Sequence, residues 1–419
     1  MKKVLITLVT LVLVIVGGLV VFKKISNASL IRITKSDSLN SLLKEPSKII
    51  FVTNNGIYAS DKNGNKTERI ATINSYLNAS LYGIYDAKIS GISLDSKWLI
   101  LNLKSLYNSP ELKQFLYALN LQTLKLIKIG SSYCDNAFIS FDIGADKLIY
   151  GFQDADKPSD NVDCIDLNTG NVSHLLDSSK NDEEKTYWFI ISPDKKYIAY
   201  TGGNVGMFPD NKTGLYLKNL ETGKLKMLVE PSNLDPNMGQ DYIQWISFAG
   251  NGREILYGRM IWTKDGKQTI KWYTVNLEGY TKEIPFEEWL KLFVANNKQE
   301  ELKLKMKKVL NKDVDVRGVL DKCKKIIFEF IVVNDTAGKL YICNNDFLNI
   351  YFTGIKSFST ILHIAPDSCK FTCGIPFTTN DPINNISTRW YLINAMTNEK
   401  INLNELFKTE VKDAIYIEK

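Results

Sequence analysis

A chain of 419 residues, 44% hydrophobic and 23% charged, has ordinary globular composition and length enough to bury a large core, which excludes disordered, collagenous and multi-span membrane classes. The formal charge of +6 is modest, and much of its excess lies between Lys298 and Lys325 rather than in arginine clusters, so no nucleic-acid partner is expected. With His174 and His363 as the only histidines, zinc-hydrolase and serine-triad chemistry has few bases to draw on.

The first predicted element is an apolar helix. Met1-Lys2-Lys3 precedes nineteen uncharged residues, Val4 to Phe22, and Lys23-Lys24 close the run. At about 1.5 Å per residue such a helix nearly spans the hydrocarbon of a bilayer. It has no polar face, which a helix buried in a soluble protein would show. Basic residues ahead of it predict a cytoplasmic N-terminus and an extracytoplasmic remainder, at the cell surface or in the periplasm. Residues 1–24 are therefore expected to be a signal anchor that makes the membrane a partner, and residues 25–44 a linker. Ser26-Asn27-Ala28 offers small residues for signal-peptide cleavage, which would release a secreted protein; the lysines between helix and site favour retention.

From Glu45 onward one pattern recurs. Its clearest copy is YWFIISPDKKYIAYTG, Tyr187 to Gly202, followed by GLYLKNLETGKLKMLVE, Gly214 to Glu230. It reads as an apolar strand, a Pro-Asp turn, an alternating strand and a hairpin closed by Glu221-Thr222-Gly223, four strands in all. Copies begin at Glu45, Asp86, Asp135, Asp241, Asp315 and Phe358, making seven. Their first turns fall near Pro46, Asp95, Asp142, Asp194, Ala249, Asp321 and Asp367, in steps of 49, 47, 52, 55, 72 and 46 residues. Second hairpins track them near Asn63, Gln122, Thr169, Thr222, Glu278, Asp346 and Thr397. Four strands per repeat of this length predict an all-β, seven-bladed β-propeller of antiparallel blades over residues 45–419, preceded by one transmembrane helix.

The long step holds EEWLKLFVANNKQEELKLKMKKVLNK. Trp289, Leu290, Phe293 and Val294 have helical spacing, so residues 287–312 are expected to be a helical insertion between blades five and six, although Leu302, Leu304 and Met306 alternate as a strand would. The first unit lacks an inner strand before Pro46, and DAIYIEK follows the last hairpin. Residues 411–419 are therefore expected to supply the strand that completes blade one.

These repeats resemble the TolB-like propeller family, whose blades carry an aspartate, an apolar inner strand and a Ser-Pro-Asp turn. Ile191-Ser192-Pro193-Asp194 matches that turn and Ala365-Pro366-Asp367 nearly does, while the other copies depart from it. The resemblance covers about Glu45 to Lys419 and implies fold more than activity. Family members that carry an α/β domain ahead of the propeller have no counterpart in the few residues between Phe22 and Glu45. Related peptidases carry a hydrolase domain, and no Gly-x-Ser-x-Gly nucleophile elbow is present here.

Several copies place an acid just before the first strand: Asp86, Asp135, Asp241, Asp315 and Asp413. Converging on a channel mouth, they would form a carboxylate ring that attracts a cation or a basic peptide; singly, each would bond loop amides. Asp154, Asp156, Asp160 and Asp163 crowd one loop with the hard oxygens that calcium prefers, but Pro158 breaks any EF-hand-like loop, and no metal or cofactor is expected. His363, in an apolar run, reads as a hydrogen-bonded core histidine. Among the six scattered cysteines, Cys134 with Cys164 and Cys323 with Cys343 share a repeat and are candidate pairs. The seven tryptophans lie mostly in strand patterns, where packing between blades claims them first. The expected function is a non-catalytic, membrane-tethered binding or scaffold propeller that takes a peptide, protein or envelope component at its channel mouth. The alternative is a propeller hydrolase or lyase acting on extracellular glycan or peptide, with paired carboxylates as acid and base.

Overall fold

The computed structural model describes residues 31–73, 82–93, 95–107, 112–132, 138–143, 146–153, 161–177, 186–202, 214–231, 239–249, 252–263, 265–294, 298–312, 314–330, 339–344, 346–347, 350–356, 361–364, 368–378 and 386–418. The proposed anchor, residues 1–24, lies outside them. Among the described residues no helix is long and apolar enough to cross a membrane.

The described strands form seven antiparallel sheets. Sheet one takes β1 (Ile31–Ile33), β2 (Ser47–Thr53), β3 (Gly56–Asp61) and β4 (Thr67–Ile73); sheet two takes β5 (Tyr82–Ile92), β6 (Trp98–Tyr107), β7 (Leu112–Asn120) and β8 (Leu126–Ser132). Sheet three is β9 (Phe138–Ile143), β10 (Lys147–Gln153), β11 (Asn161–Asp166) and β12 (Val172–Asp177), and sheet four is β13 (Thr186–Ile191), β14 (Tyr197–Gly202), β15 (Gly214–Asn219) and β16 (Leu225–Val229). Sheet five comprises β17 (Gly239–Phe248), β18 (Glu254–Thr263), β19 (Gln268–Asn276) and β20 (Thr281–Ile284). Sheet six comprises β21 (Val314–Leu320), β22 (Lys325–Phe330), β23 (Lys339–Asn344) and β24 (Tyr351–Lys356), and sheet seven β25 (Ile361–His363), β26 (Lys370–Thr378), β27 (Ile386–Asn394) and β28 (Lys400–Asn402). The last strand, β29 (Asp413–Glu418), returns to pair antiparallel with β2, so the two ends of the described chain share sheet one.

Local chemistry explains the repeated turns. Ser192 is fully buried; its Oγ donates to Asp194 Oδ1 at 2.6 Å and accepts from Tyr197 N at 2.9 Å, while Asp194 Oδ1 accepts from Lys196 N at 3.1 Å. Ser93, Asp95, Lys97 and Trp98 make the same network between β5 and β6. In the second hairpins an Asn or Asp side chain receives two successive amides: Asn120 from Gln122 and Thr123, Asp166 from Asn168 and Thr169, Asn219 from Glu221 and Thr222. These bonds span five residues at most, so each turn forms wherever its short motif occurs.

A lone four-stranded sheet leaves two apolar faces exposed, and here each neighbour covers one. Ile50, Val52 and Ala59 of sheet one pack on Ile89, Leu99 and Leu101 of sheet two; Trp98 and Leu116 of sheet two pack on Leu148 and Ile165 of sheet three. Val162 and Leu176 meet Phe189 and Tyr200 of sheet four, whose Ala199 and Leu217 meet Ile243 and Tyr257 of sheet five. Leu320, Ile327 and Ile342 of sheet six pack on Phe371 and Ile393 of sheet seven, and sheet seven returns through Trp390 and Leu392 to Phe51 and Tyr416 of sheet one. Each buried Leu, Ile or Phe contributes roughly 1.5–3 kcal/mol, so these seams carry most of the stability.

The remaining faces of sheets five and six are covered by helices. Between β20 and β21 lie two helices, residues 286–294 and 298–310; with the helix Asp37–Lys44 counted first as α1, they are α2 (Phe286–Val294) and α3 (Lys298–Leu310). Trp289 of α2 packs on Leu256 and Ile284 of sheet five, and Met306 of α3 on Val316, Ile326 and Phe328 of sheet six. The alternation of Leu302, Leu304 and Met306 is therefore helical, with Met306 buried and Leu304 40% exposed. The expected linker also differs: residues 31–44 are packed structure. β1 pairs with β4 as a fifth strand, and α1, capped by Ser36, buries Leu39, Leu42 and Leu43. Lys48, itself buried, donates to Leu43 O and Glu45 O at 2.8 Å and closes the C-terminal end of that helix.

Candidate binding site on the first strands

First strands of neighbouring sheets lie against one another: β25 against β29, β29 against β5, and β13 against β17. Residues on these strands can therefore act together although they are far apart in sequence.

On β13, Ile190 packs into the seam between sheets four and five, and Trp188, two residues earlier on the same face, is 56% exposed. On β17 the pairing with β18 slips between Gln244 and Ser247, and Trp245 inside this bulge adopts φ +51° while remaining 47% exposed. Holding a bulky residue there costs on the order of 1–3 kcal/mol. The bulge turns Trp245 away from Ile243 and Ile246, which pack toward sheet four, and sets it against Trp272 of β19 with ring centroids 5.4 Å apart. Between the two indoles lies Gly258, where a Cβ would stand 2.8 Å from Trp245 Cε3 and 2.9 Å from Trp272 Cζ3. Trp272 in turn meets Trp289 at 4.4 Å and Phe286 at 5.0 Å, and Trp289 stacks on Phe293 at 5.0 Å. An exposed indole thus stands on a chain of rings anchored in α2.

Sheet seven repeats the device with a different first ring. A Cβ on Gly374 would stand 2.8 Å from Trp390 Cζ2, and His363 of β25 stacks on Trp390 at 5.6 Å with planes 8° apart. His363 Nε2 lies 2.7 Å from Asp413 Oδ1, which also accepts from Ala414 N at 2.8 Å, and Asp413 Oδ2 accepts from Ile89 N at 2.7 Å. The histidine is hydrogen-bonded within the fold, and the Asp413 carboxylate ties sheets seven, one and two together.

The proposed carboxylate ring is placed as follows. Asp413 is buried with both oxygens engaged, and Asp315 accepts from Arg317 Nη1 at 3.3 Å. The backbones of Asp86 and Asp241 lie on β5 and β17, opposite Lys104 and Ile261, and their side chains lie outside the description. Asp135 is outside the described residues, as are Asp154, Asp156 and Asp160 of the candidate metal loop. Asp163 is bonded to His174 Nδ1 at 2.7 Å and to the Tyr150 hydroxyl at 3.2 Å. Burial first, and Asp163 second, push the Tyr150 phenol above its usual range. Among the described residues no group of three His, Cys, Asp or Glu side chains could hold a metal ion. A separate cavity of about 350 Å³ opens where Phe51, Tyr58 and Thr67 of sheet one face the helix α4 (Leu403–Phe407), with Phe51 stacked between Tyr58 and Phe407.

The candidate pair Cys323–Cys343 is not formed: both residues are thiols. Cys343 faces α3 beside Met306 and Phe328, whereas Cys323 packs toward sheet seven, so the two lie on opposite faces of sheet six. Cys164 is also a thiol, and Cys134 lies outside the described residues. Sequence reasoning passed over Trp188 and Trp245 by assigning tryptophans to packing. That holds for Trp98, Trp289 and Trp390, which are buried. The legible signal was the glycine on a second strand facing a tryptophan on the third, Gly258 with Trp272 and Gly374 with Trp390.

Neither a protein-family model nor a curated protein matches the chain in sequence. Similar solved structures include TolB from Acinetobacter baumannii (14% identity, 72% of this chain and 62% of that chain, TM-score 0.29). The β-propeller domain of the Trilobed protease from Pyrococcus furiosus is also similar (13% identity, 83% and 86% covered, TM-score 0.35), as is oligogalacturonate lyase from Vibrio parahaemolyticus (12%, 86% and 85%, TM-score 0.37). The chain spans less than two thirds of the length of that TolB structure.

Proposed function

We propose that the chain is a TolB-like, seven-bladed propeller held at the membrane by residues 1–24, facing the extracytoplasmic side and binding a peptide or protein partner through its first strands. The blade count rests on the seven sheets, on their successive packing, and on β29 returning to sheet one. α2 and α3 fill the wedge between blades five and six.

The binding reading is carried by Trp245. An indole kept exposed at positive φ on a buttressed stack costs stability and is suited to an apolar or cationic peptide side chain, because a rigid aromatic loses little entropy on binding. Trp188 on the adjacent first strand widens the same surface. The test presents the full chain, in detergent, to peptide and glycan arrays, alongside Trp245→Ala and Trp188→Ala. Retention of a peptide class that is lost in Trp245→Ala supports the proposal. Retention untouched by either substitution removes the site, and release of products from a glycan or peptide library replaces binding with the hydrolase or lyase reading.

A further inference from the structure

The cavity of about 350 Å³ between sheet one and α4 is large enough for a small molecule, since such sites usually enclose ~300–1,000 Å³. Three parallel rings make one of its walls. The register of β2 and β3 sets Phe51 opposite Tyr58, and the two rings stack at 5.3 Å with planes 13° apart. Phe407 of α4 extends the stack on the other side of Phe51, at 4.1 Å and 9°. Gly64, in the turn between β3 and β4, closes the cavity against the helix. It adopts φ +77°, and a Cβ there would stand 2.6 Å from Leu406 Cγ, so only glycine lets the turn come this close.

The polar groups of the lining are ordered by what each can donate. A guanidinium has no acceptor, so Arg69 Nε donates to the Tyr58 hydroxyl at 3.1 Å, and that hydroxyl gives its own hydrogen to Asn55 Oδ1 at 3.0 Å. Thr53 Oγ1 donates to the same Oδ1 at 2.7 Å. The Asn55 oxygen is thereby occupied twice, which leaves the amide hydrogens on Nδ2 to face an occupant. Arg69 also lies over the Tyr58 ring, 5.3 Å from its centroid, and adds positive potential beside the cavity. Among the described residues of the lining, Lys408 is the one that carries a charge, and none is an acid. The acids nearest to it in sequence are held elsewhere: Glu405 Oε1 accepts from Asn402 Nδ2 at 2.7 Å, and Glu410 Oε1 from Ser387 Oγ at 2.8 Å and Lys412 Nζ at 2.7 Å.

We propose that this cavity is a second ligand site and takes a small aromatic carboxylate. The ring lies against the wall of Phe51 and Phe407, and the carboxylate meets the Asn55 amide and the Lys408 ammonium. An acid without a ring would leave the aromatic wall uncovered, and a neutral ring would forgo the charge-assisted bonds. The site belongs to sheet one, whereas Trp188 and Trp245 belong to sheets four and five, so it stands or falls independently of the peptide surface.

The test follows the fluorine NMR signal of para-fluorobenzoate on addition of the full chain in detergent at neutral pH. The signal should broaden with the wild-type chain and sharpen again when unlabelled benzoate is added. Para-fluorobenzamide, which lacks the charge, and fluoroacetate, which lacks the ring, should each bind roughly tenfold more weakly or worse. Lys408 follows α4 at φ +50°, so Lys408→Gly removes the charge without straining the backbone. That variant should lose roughly tenfold in affinity for para-fluorobenzoate with an unchanged Tm, and Lys408→Arg should recover it. Phe407→Leu, which keeps apolar bulk and removes a ring, should weaken binding as well. Absence of broadening at millimolar probe, equal binding of acid and amide, or undiminished binding by Lys408→Gly overturns the proposal. Should Lys408→Gly lower the Tm, the comparison of acid with amide on the wild-type chain decides.

Discussion

His363 Nε2 and Asp413 Oδ1, fifty residues apart in sequence, lie 2.7 Å apart across the seam where the end of the chain rejoins sheet one. The same carboxylate also receives the Ile89 amide, so a single side chain holds three sheets. Asp413→Ala would orphan a buried backbone donor and the imidazole together, and roughly 3 kcal/mol of stability should be lost. Urea denaturation of the full chain checks this. A midpoint unchanged within error would show that the clasp contributes nothing, while removal of residues 411–419 should cost more because β29 is lost with it.

Gly258 and Gly374 are predicted to tolerate no side chain. Adding a Cβ forces Trp245 and Trp272, or Trp390, out of contact, and such overpacking typically costs about 1–3 kcal/mol. Gly258→Ala should also alter tryptophan fluorescence, since three indoles share that stack. An alanine variant with wild-type spectrum and midpoint would mean that the rings readjust freely.

Turns were legible in the sequence, whereas of the site only the glycines Gly258 and Gly374, paired with a tryptophan on the next strand, left a signal there, for the same physical reason. Ser192 with Asp194, or Asn219 with Thr222, bond within five residues, so their spacing repeats with the blades. The exposure of Trp245 depends on a slip of register on β17 and on a helix inserted after β20, neither of which leaves a mark on its own neighbours in sequence. Asp413 looked like another acid ahead of a first strand, and only the packing of three sheets reveals that its oxygens are occupied. The alternation of Leu302, Leu304 and Met306 misled because a two-residue period over so short a span also fits one side of a helix, and burial at Met306 decided it.

Asp194 supplies a pH prediction. The Ser192 hydroxyl, then the Lys196 amide, hold its carboxyl below the usual carboxylate range. A depressed folded value means that the stabilisation is fully present above the unfolded value of about 3.9 and is lost as pH falls through the folded one. The Tm difference between wild type and Asp194→Asn should therefore be constant from neutral pH down to about 5 and shrink below about 4. A difference that grows on acidification would contradict the assigned direction.

Burial pushes the thiols of Cys343 and Cys373 up to about 12. In the native protein at pH 8 they should alkylate roughly a thousandfold more slowly than after unfolding, from thiolate fraction alone. Peptide-resolved alkylation with and without urea measures the ratio. Similar rates in both states would place these residues on the surface.

Trp245→Gly separates the cost of the exposed indole from its use. Glycine accepts φ +51° without strain, which returns about 1 kcal/mol, while the lost ring contact with Trp272 removes a similar amount. Stability should therefore shift by less than about 1 kcal/mol, whereas retention on the peptide array should disappear. Trp245→Phe keeps both the ring and the backbone strain, so it should retain part of the binding and gain no stability. If Trp245→Gly instead unfolds the chain, the stack is a structural column and the strained backbone serves packing. If the glycine variant is stable and binds as wild type does, the bulge has no part in recognition, and Trp188 alone is left to carry the surface.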